Sequence, residues 1–155
     1  MTAISDLTTE DLQANFELLG DWEERFGYVI DLGRKLPEMD PADMNEATRV
    51  HGCQSQVWMK AELSDERPPR MRFVARSDAH IVNGLIAILM TLYNGKTPRG
   101  VLETDAEGFL KTLDLEEHLS PTRRNGLHAM LKRIAALAAE AGASAGGTNK
   151  EATTP

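Results

Sequence analysis

The sequence predicts an α+β domain in which helices surround one antiparallel hairpin. Two observations carry this. Alternation with a period of two is confined to the stretch between Val57 and Arg76: Val57, Met59, Ala61 and Leu63 alternate with Trp58, Lys60 and Glu62, and Met71 to Arg76 alternates again beyond the polar turn Ser64 to Pro69. Elsewhere the apolar residues recur every three and four positions, the spacing of amphipathic helices. Length and composition agree with this picture. A chain of 155 residues, 41% hydrophobic and 26% charged, can bury one core without a disulfide or a metal staple. Residues 1–140 are therefore expected to form a single domain.

The elements follow in order. A first helix starts after Thr8 or Thr9, puts Leu12, Phe16 and Leu19 on one stripe and ends near Gly20. Asp21 and Glu24 have capping-box spacing, and Trp22, Phe26, Val29, Ile30 and Leu36 then keep helical spacing as far as the stop at Pro37. The mixed charges of this second helix, Glu23, Glu24, Arg25, Asp31, Arg34 and Lys35, are expected to face water. Pro41 to Thr48 reads as a loop. Arg49 to Leu63 is β-compatible but broken at Gly52-Cys53, which puts a third strand just before the cysteine and makes a sheet of about three strands. Ser77 is placed to cap the next helix, with Asp78 at its first position, where a carboxylate favours the helix dipole. Ile81 to Tyr93 is apolar on nearly every side and should be the central helix. Thr97-Pro98 and Ser120-Pro121 are further cap-plus-proline starts, and the last helix aligns Leu127, Met130, Leu131, Ile134 and Leu137. Small and polar residues dominate 141–155, which is expected to be a disordered tail.

Charge and motif content exclude several functions. A formal charge of −7 argues against binding nucleic acid, which needs clustered Lys and Arg to displace counterions. Ile81 to Tyr93 is broken by Asn83, Gly84 and Thr91 and is shorter than the roughly 20 residues a bilayer span requires, so no membrane role is expected. The N-terminus lacks the basic start and apolar run of a secretory signal, and one cysteine cannot form an internal disulfide; a reducing cytoplasm fits best. There is no HExxH, no paired CxxC and no glycine-rich phosphate loop, and His51-x-Cys53 supplies two potential metal ligands where a zinc site needs more. No cofactor or metal is expected on this chain.

What remains is Cys53. Gly52 before it permits unusual backbone angles or a close approach, and Gln54 and Ser55 after it offer hydrogen bonds near the sulfur. A cysteine nucleophile acts as thiolate, which a nearby cation or donor favours; Arg49, His51 and Arg123 are the candidates. Three alternatives stand beside a working thiol. A free cysteine often packs simply as a small hydrophobe. The chain could be a cysteine hydrolase with His51, His80, His118 or His128 as base. It could also be an adaptor whose loop is a docking surface.

The stretch Val50-His51-Gly52-Cys53-Gln54-Ser55-Gln56-Val57-Trp58 closely resembles the cysteine-centred motif of the SufE family of sulfur acceptors. Asn15-Phe16, Asp21 to Phe26, Leu32 to Pro37, Ser77-Asp78-Ala79 and Ile81 to Ile86 are similar to that family too, as are Leu119 to Arg123 and Asn125-Gly126-Leu127. The resemblance runs from about Leu12 to the last helix. It implies a small antiparallel sheet flanked by helices, similar to iron–sulfur scaffold proteins. It also implies that Cys53 accepts a persulfide sulfur from a SufS-like, PLP-dependent cysteine desulfurase and delivers it to a SufBCD-like assembly scaffold. The PLP belongs to the partner, and the chain itself is a carrier and activator and not a stand-alone enzyme. Asp78 and Arg123 carry over as supporting or partner-binding positions beside Gly52 and Gln54. His51 departs from the pattern and is read as decoration of the loop.

Overall fold

The computed structural model describes the backbone of residues 6–153 and the side chains of residues 6–143. Its elements are α1 (Thr9–Leu18), α2 (Trp22–Arg34), β1 (Val57–Leu63), β2 (Met71–Ser77), α3 (His80–Tyr93), α4 (Pro98–Leu102), α5 (Ala106–Thr112) and α6 (Pro121–Thr153). The fold is α+β, with one antiparallel hairpin and helices around it.

Local chemistry starts the helices where expected. At α1, Thr8 and Asp11 form a reciprocal capping box: each backbone N–H donates to the other's side chain, both at 3.1 Å. At α2, the Asp21 carboxylate accepts from the Glu24 amide at 2.8 Å, while the Glu24 side chain reaches back to the Gly20 amide at 3.1 Å. Thr97 and Ser120 cap the two proline-led helices through their hydroxyls, accepting from the Gly100 and Arg123 amides at 3.0 and 3.2 Å.

The central helix α3 is buried from Val82 to Tyr93 apart from the half-exposed Thr91, and α2 packs on it more closely than side chains allow. A Cβ on Gly33 would lie 2.6 Å from the Gly84 amide nitrogen, and a Cβ on Gly84 would run into the Val29 carbonyl oxygen. The two glycines therefore let the helix backbones touch, which fixes α3 against α2 and leaves its other sides to β2 and α1.

The sheet has two strands where about three were expected. Val57 pairs with Ser77 and Leu63 with Met71. The segment before Cys53 adds a single bridge, Arg49 to Trp58, held by Val50 N–H on Val57 O and Met59 N–H on Thr48 O, each at 2.8 Å. Pairing stops there because the chain turns at His51-Gly52, with Gly52 at φ +94°, before a ladder can grow. The far edge of β2 is occupied as well. Phe73 N–H donates to the Asn94 side chain at 2.7 Å, and Met71 exchanges backbone bonds with Gly95 and Lys96. Two strands suffice because neither edge is left bare.

A second correction concerns the start of α3. Ser77 remains the last residue of β2, and the capping position falls on Ala79. Asn83 reaches back to hold Ser77 at both its N–H and its C=O, at 2.8 and 3.1 Å, which keeps Ser77 in the strand and leaves Asp78 outside the helix. Helix α6 is bounded by Pro121 and Thr153, so the segment 141–155 begins inside it, and the side chains of 144–155 lie outside the described residues. No helix among the described residues is long and apolar enough to cross a membrane.

Candidate functional site

Cys53 is half-buried on the loop between the Arg49 bridge and β1, under the N-terminal half of α6. Its Sγ lies 3.5 Å from the Gly126 carbonyl oxygen, the geometry of a weak S–H donor on a backbone acceptor. Position 126 faces the thiol directly: a Cβ there would sit 3.6 Å from Sγ, in van der Waals contact with it. On the neighbouring side Gly52 turns the chain, and a Cβ there would press on Ala129 at 3.2 Å. Two glycines thus bring loop and helix together around one sulfur.

Beside the sulfur is a cavity of about 20 Å³. A water needs about 10–15 Å³ by the same measure, so the space admits one small group. Its walls are apolar on the helix sides, from Val82, Leu85, Leu127 and Met130, and polar at the mouth, from Gln54, Ser55, Thr122 and Arg123. Cys53, Gln54 and Arg123 therefore share one cavity. The Arg123 guanidinium forms no ion pair among the described residues, while its backbone N–H is held by Ser120.

Asp78 is close in space but acts on the loop's backbone. Its carboxylate accepts from the Gln56 amide at 3.0 Å, and its own amide donates to the Gln56 carbonyl at 3.3 Å. The role expected of it, a first-turn helix charge, is replaced by a clamp on the loop three residues beyond Cys53. The sequence hinted at this only through the polar Ser77-Asp78 pair between strand and helix.

Burial pushes the Cys53 thiol above its ordinary pKa, and the Arg49 charge pulls it back only in part. In the free protein the sulfur is held mainly as thiol. Of the cations considered for its activation, Arg49 has this partial effect, whereas His51 faces away, with Nε2 2.8 Å from Glu46. Of the histidines considered as a hydrolase base, none is paired with Cys53. His118 stacks on Trp22 with ring centroids 3.8 Å apart, His128 pairs with Glu116 at 2.8 Å, and no histidine hydrogen-bonds the thiol. No group of three or more His, Cys, Asp or Glu converges as a metal site among the described residues.

A single thiol on a loop clamped between a two-stranded sheet and a helix defines a class, a one-cysteine α+β domain. Comparison with known proteins names the family. Residues 10–138 match the family model described as SufE, Fe-S metabolism associated domain, and the chain belongs to the SufE family. An uncharacterised SufE-like protein of Rhizobium meliloti is 41% identical over 121 residues, 77% of this chain and 86% of that protein. Another, from Rhizobium etli, is 44% identical over 121 residues, 77% of this chain and 82% of its own length. The solution structure of a hypothetical protein from Thermus thermophilus shares the fold with a TM-score of 0.69 and 27% identity, covering 86% of this chain and 94% of that one. Family membership gives the chain a role in iron–sulfur metabolism.

Proposed function

We propose that Cys53 is a persulfide acceptor: it takes sulfur from a SufS-like, PLP-dependent cysteine desulfurase and passes it to a SufBCD-like iron–sulfur assembly scaffold. The observation that carries this reading is the sole cysteine of the chain, its Sγ against a cavity with room for one further small atom. The Cys53 thiolate attacks the outer sulfur of the partner's persulfide. The partner's S–S bond breaks, its electron pair leaves on the partner's own cysteine thiolate, which takes up the proton lost by Cys53, and a new S–S bond stands on Cys53. No external oxidant or reductant is required, because one S–S bond replaces another.

The apolar walls keep the carried sulfur from stray thiols and oxidants, and the absence of a second cysteine from the sequence removes a route by which it would be discharged as an internal disulfide. Arg123 at the cavity mouth offers a cation to anionic sulfur or to a partner carboxylate, and Gln54 offers an amide. On this reading the chain is a carrier and activator, its chemistry completed only with its partner and suited to a reducing cytoplasm. The test is intact-protein mass after incubation with a cysteine desulfurase and cysteine. Wild type should gain one sulfur atom that reductant removes, and Cys53→Ser should gain none and no longer stimulate the desulfurase while still binding it. No addition to the wild type while the desulfurase turns over would overturn the proposal.

A further inference from the structure

Next to the sulfur cavity, on the adjoining stripe of α6, lies a separate open groove of about 650 Å³. Its helix wall is Asn125, His128, Ala129, Lys132 and Arg133, the i, i+3, i+4, i+7, i+8 pattern of one helix face, and its other wall is the loop from Arg49 to Gly52. On a chain of formal charge −7 this groove gathers three permanent positive charges, Arg49, Lys132 and Arg133. None of the three is in an ion pair among the described residues. The two histidines that line it are each paired with an acid, His51 with Glu46 and His128 with Glu116, both at 2.8 Å.

A second observation points the same way. Among the described residues, the buried side-chain nitrogen and oxygen atoms without a hydrogen-bond partner are the Nε of Arg49 and the Nε of Arg133. Both guanidiniums line this one groove, and the bond found for Arg133 is from Nη2 to the Ala47 carbonyl at 3.0 Å. Buried donors are ordinarily matched, so neither guanidinium is saturated by the chain's own acceptors.

We propose that this groove docks an acidic peptide segment of a partner protein, whose carboxylates pair with Arg49, Lys132 and Arg133. A single small anion does not fit the layout. The three cations stand on both walls, Arg49 on the loop and Lys132 with Arg133 at one end of the helix wall, more positive charge than one small anion neutralises, and the groove runs on from them for about 12 Å of helix axis to Asn125, room for a chain that carries several carboxylates. A nucleic-acid backbone is disfavoured because the acidic remainder of the surface repels it. An occupant here lies against Gly52 and Arg49 without entering the sulfur cavity, so it would orient a partner beside Cys53 and leave Sγ free. The proposal rests on the groove alone and does not require that Cys53 carry sulfur.

The test is fluorescence anisotropy of a fluorescein-labelled oligoglutamate peptide with the full-length protein, in reductant at low salt. Saturable binding is expected. It should be weakened about tenfold by Lys132→Glu combined with Arg133→Gln, a pair that keeps an amide to donate to Ala47, and weakened in part by Lys132→Glu alone at its exposed position. Arg99→Glu, on a remote surface, should leave it unchanged. Three results would each overturn the proposal: no binding, binding indifferent to Lys132→Glu in a protein with wild-type circular dichroism, or an equal loss in Arg99→Glu. Tighter binding of an oligothymidylate of equal charge through the same residues would overturn it in favour of nucleic acid.

Discussion

Cys53 is half-buried beneath the first turns of α6. Burial raises its pKa and Arg49 lowers it by less, so alkylation of the free protein by iodoacetamide should climb with pH along a curve displaced above that of an unhindered cysteine. Arg49→Gln removes the opposing charge and should displace the curve further, lowering the rate at neutral pH. The same shift bears on stability. Between the unfolded and the folded pKa, the unfolded chain has released a proton that the folded chain keeps, so stability contributed by Cys53 is complete below that window and declines as pH rises through it. Urea unfolding of wild type should therefore lose ground to Cys53→Ser only on the alkaline side; an equal difference at all pH values would contradict the assigned burial.

Asp78 offers a second reading at this scale. Its two bonds to Gln56 tie the end of the Cys53 loop to the start of α3, so Asp78→Ala should loosen the loop without unfolding the domain. Loss of about 1 kcal/mol of net hydrogen bonding corresponds to roughly fivefold more open loop and a matching rise in alkylation rate. An unchanged rate would show that the thiol is covered by α6 alone. Neither Asp78's clamp nor the Gly126 carbonyl was legible beforehand, because the partners lie 22 and 73 residues apart in sequence. The cysteine itself was legible from its glycine and its uniqueness, and Arg123 stood among three candidate cations before the resemblance gave it a supporting position.

At the scale of elements, the cap residues and the periodicities placed all the long helices and both strands of the hairpin. The expected third strand failed for a local reason, since Gly52 turns the chain three residues after the bridge at Arg49. The early start expected for α3 failed because Asn83 competes for Ser77's backbone, a side-chain contact that propensity does not see. What composition could not reveal is how closely α2 and α3 approach. Gly84→Ala would drive a methyl into the Val29 carbonyl and should cost about 2–3 kcal/mol, a fall in Tm of roughly 5–10 °C by circular dichroism. A methyl on Gly27, in the same helix pair, would meet nothing within 4 Å, and Gly27→Ala should stabilise by about 0.5–1 kcal/mol through helix propensity. Opposite signs in the two variants would separate backbone contact from propensity.

At the scale of the whole molecule, α6 links the parts that matter: its first turns cover Cys53 and line the basic groove, and its middle packs on the core. Ala138 is fully buried and Ala141 still packs against the core, while Gly142 lies next to Pro98 of α4, where a Cβ would come within 3.6 Å. The match to the family model ends at residue 138. A chain ending at Gly142 therefore keeps the fully buried core, both walls of the sulfur cavity and the full length of the groove. It should melt within about 2 °C of the full chain, a change of less than about 1 kcal/mol, and it should accept sulfur from a desulfurase at the same rate. Unfolding or a large loss of acceptance on this truncation would mean that residues beyond Gly142 hold α6 against the Cys53 loop, and the boundary of the working domain would move to the end of the chain.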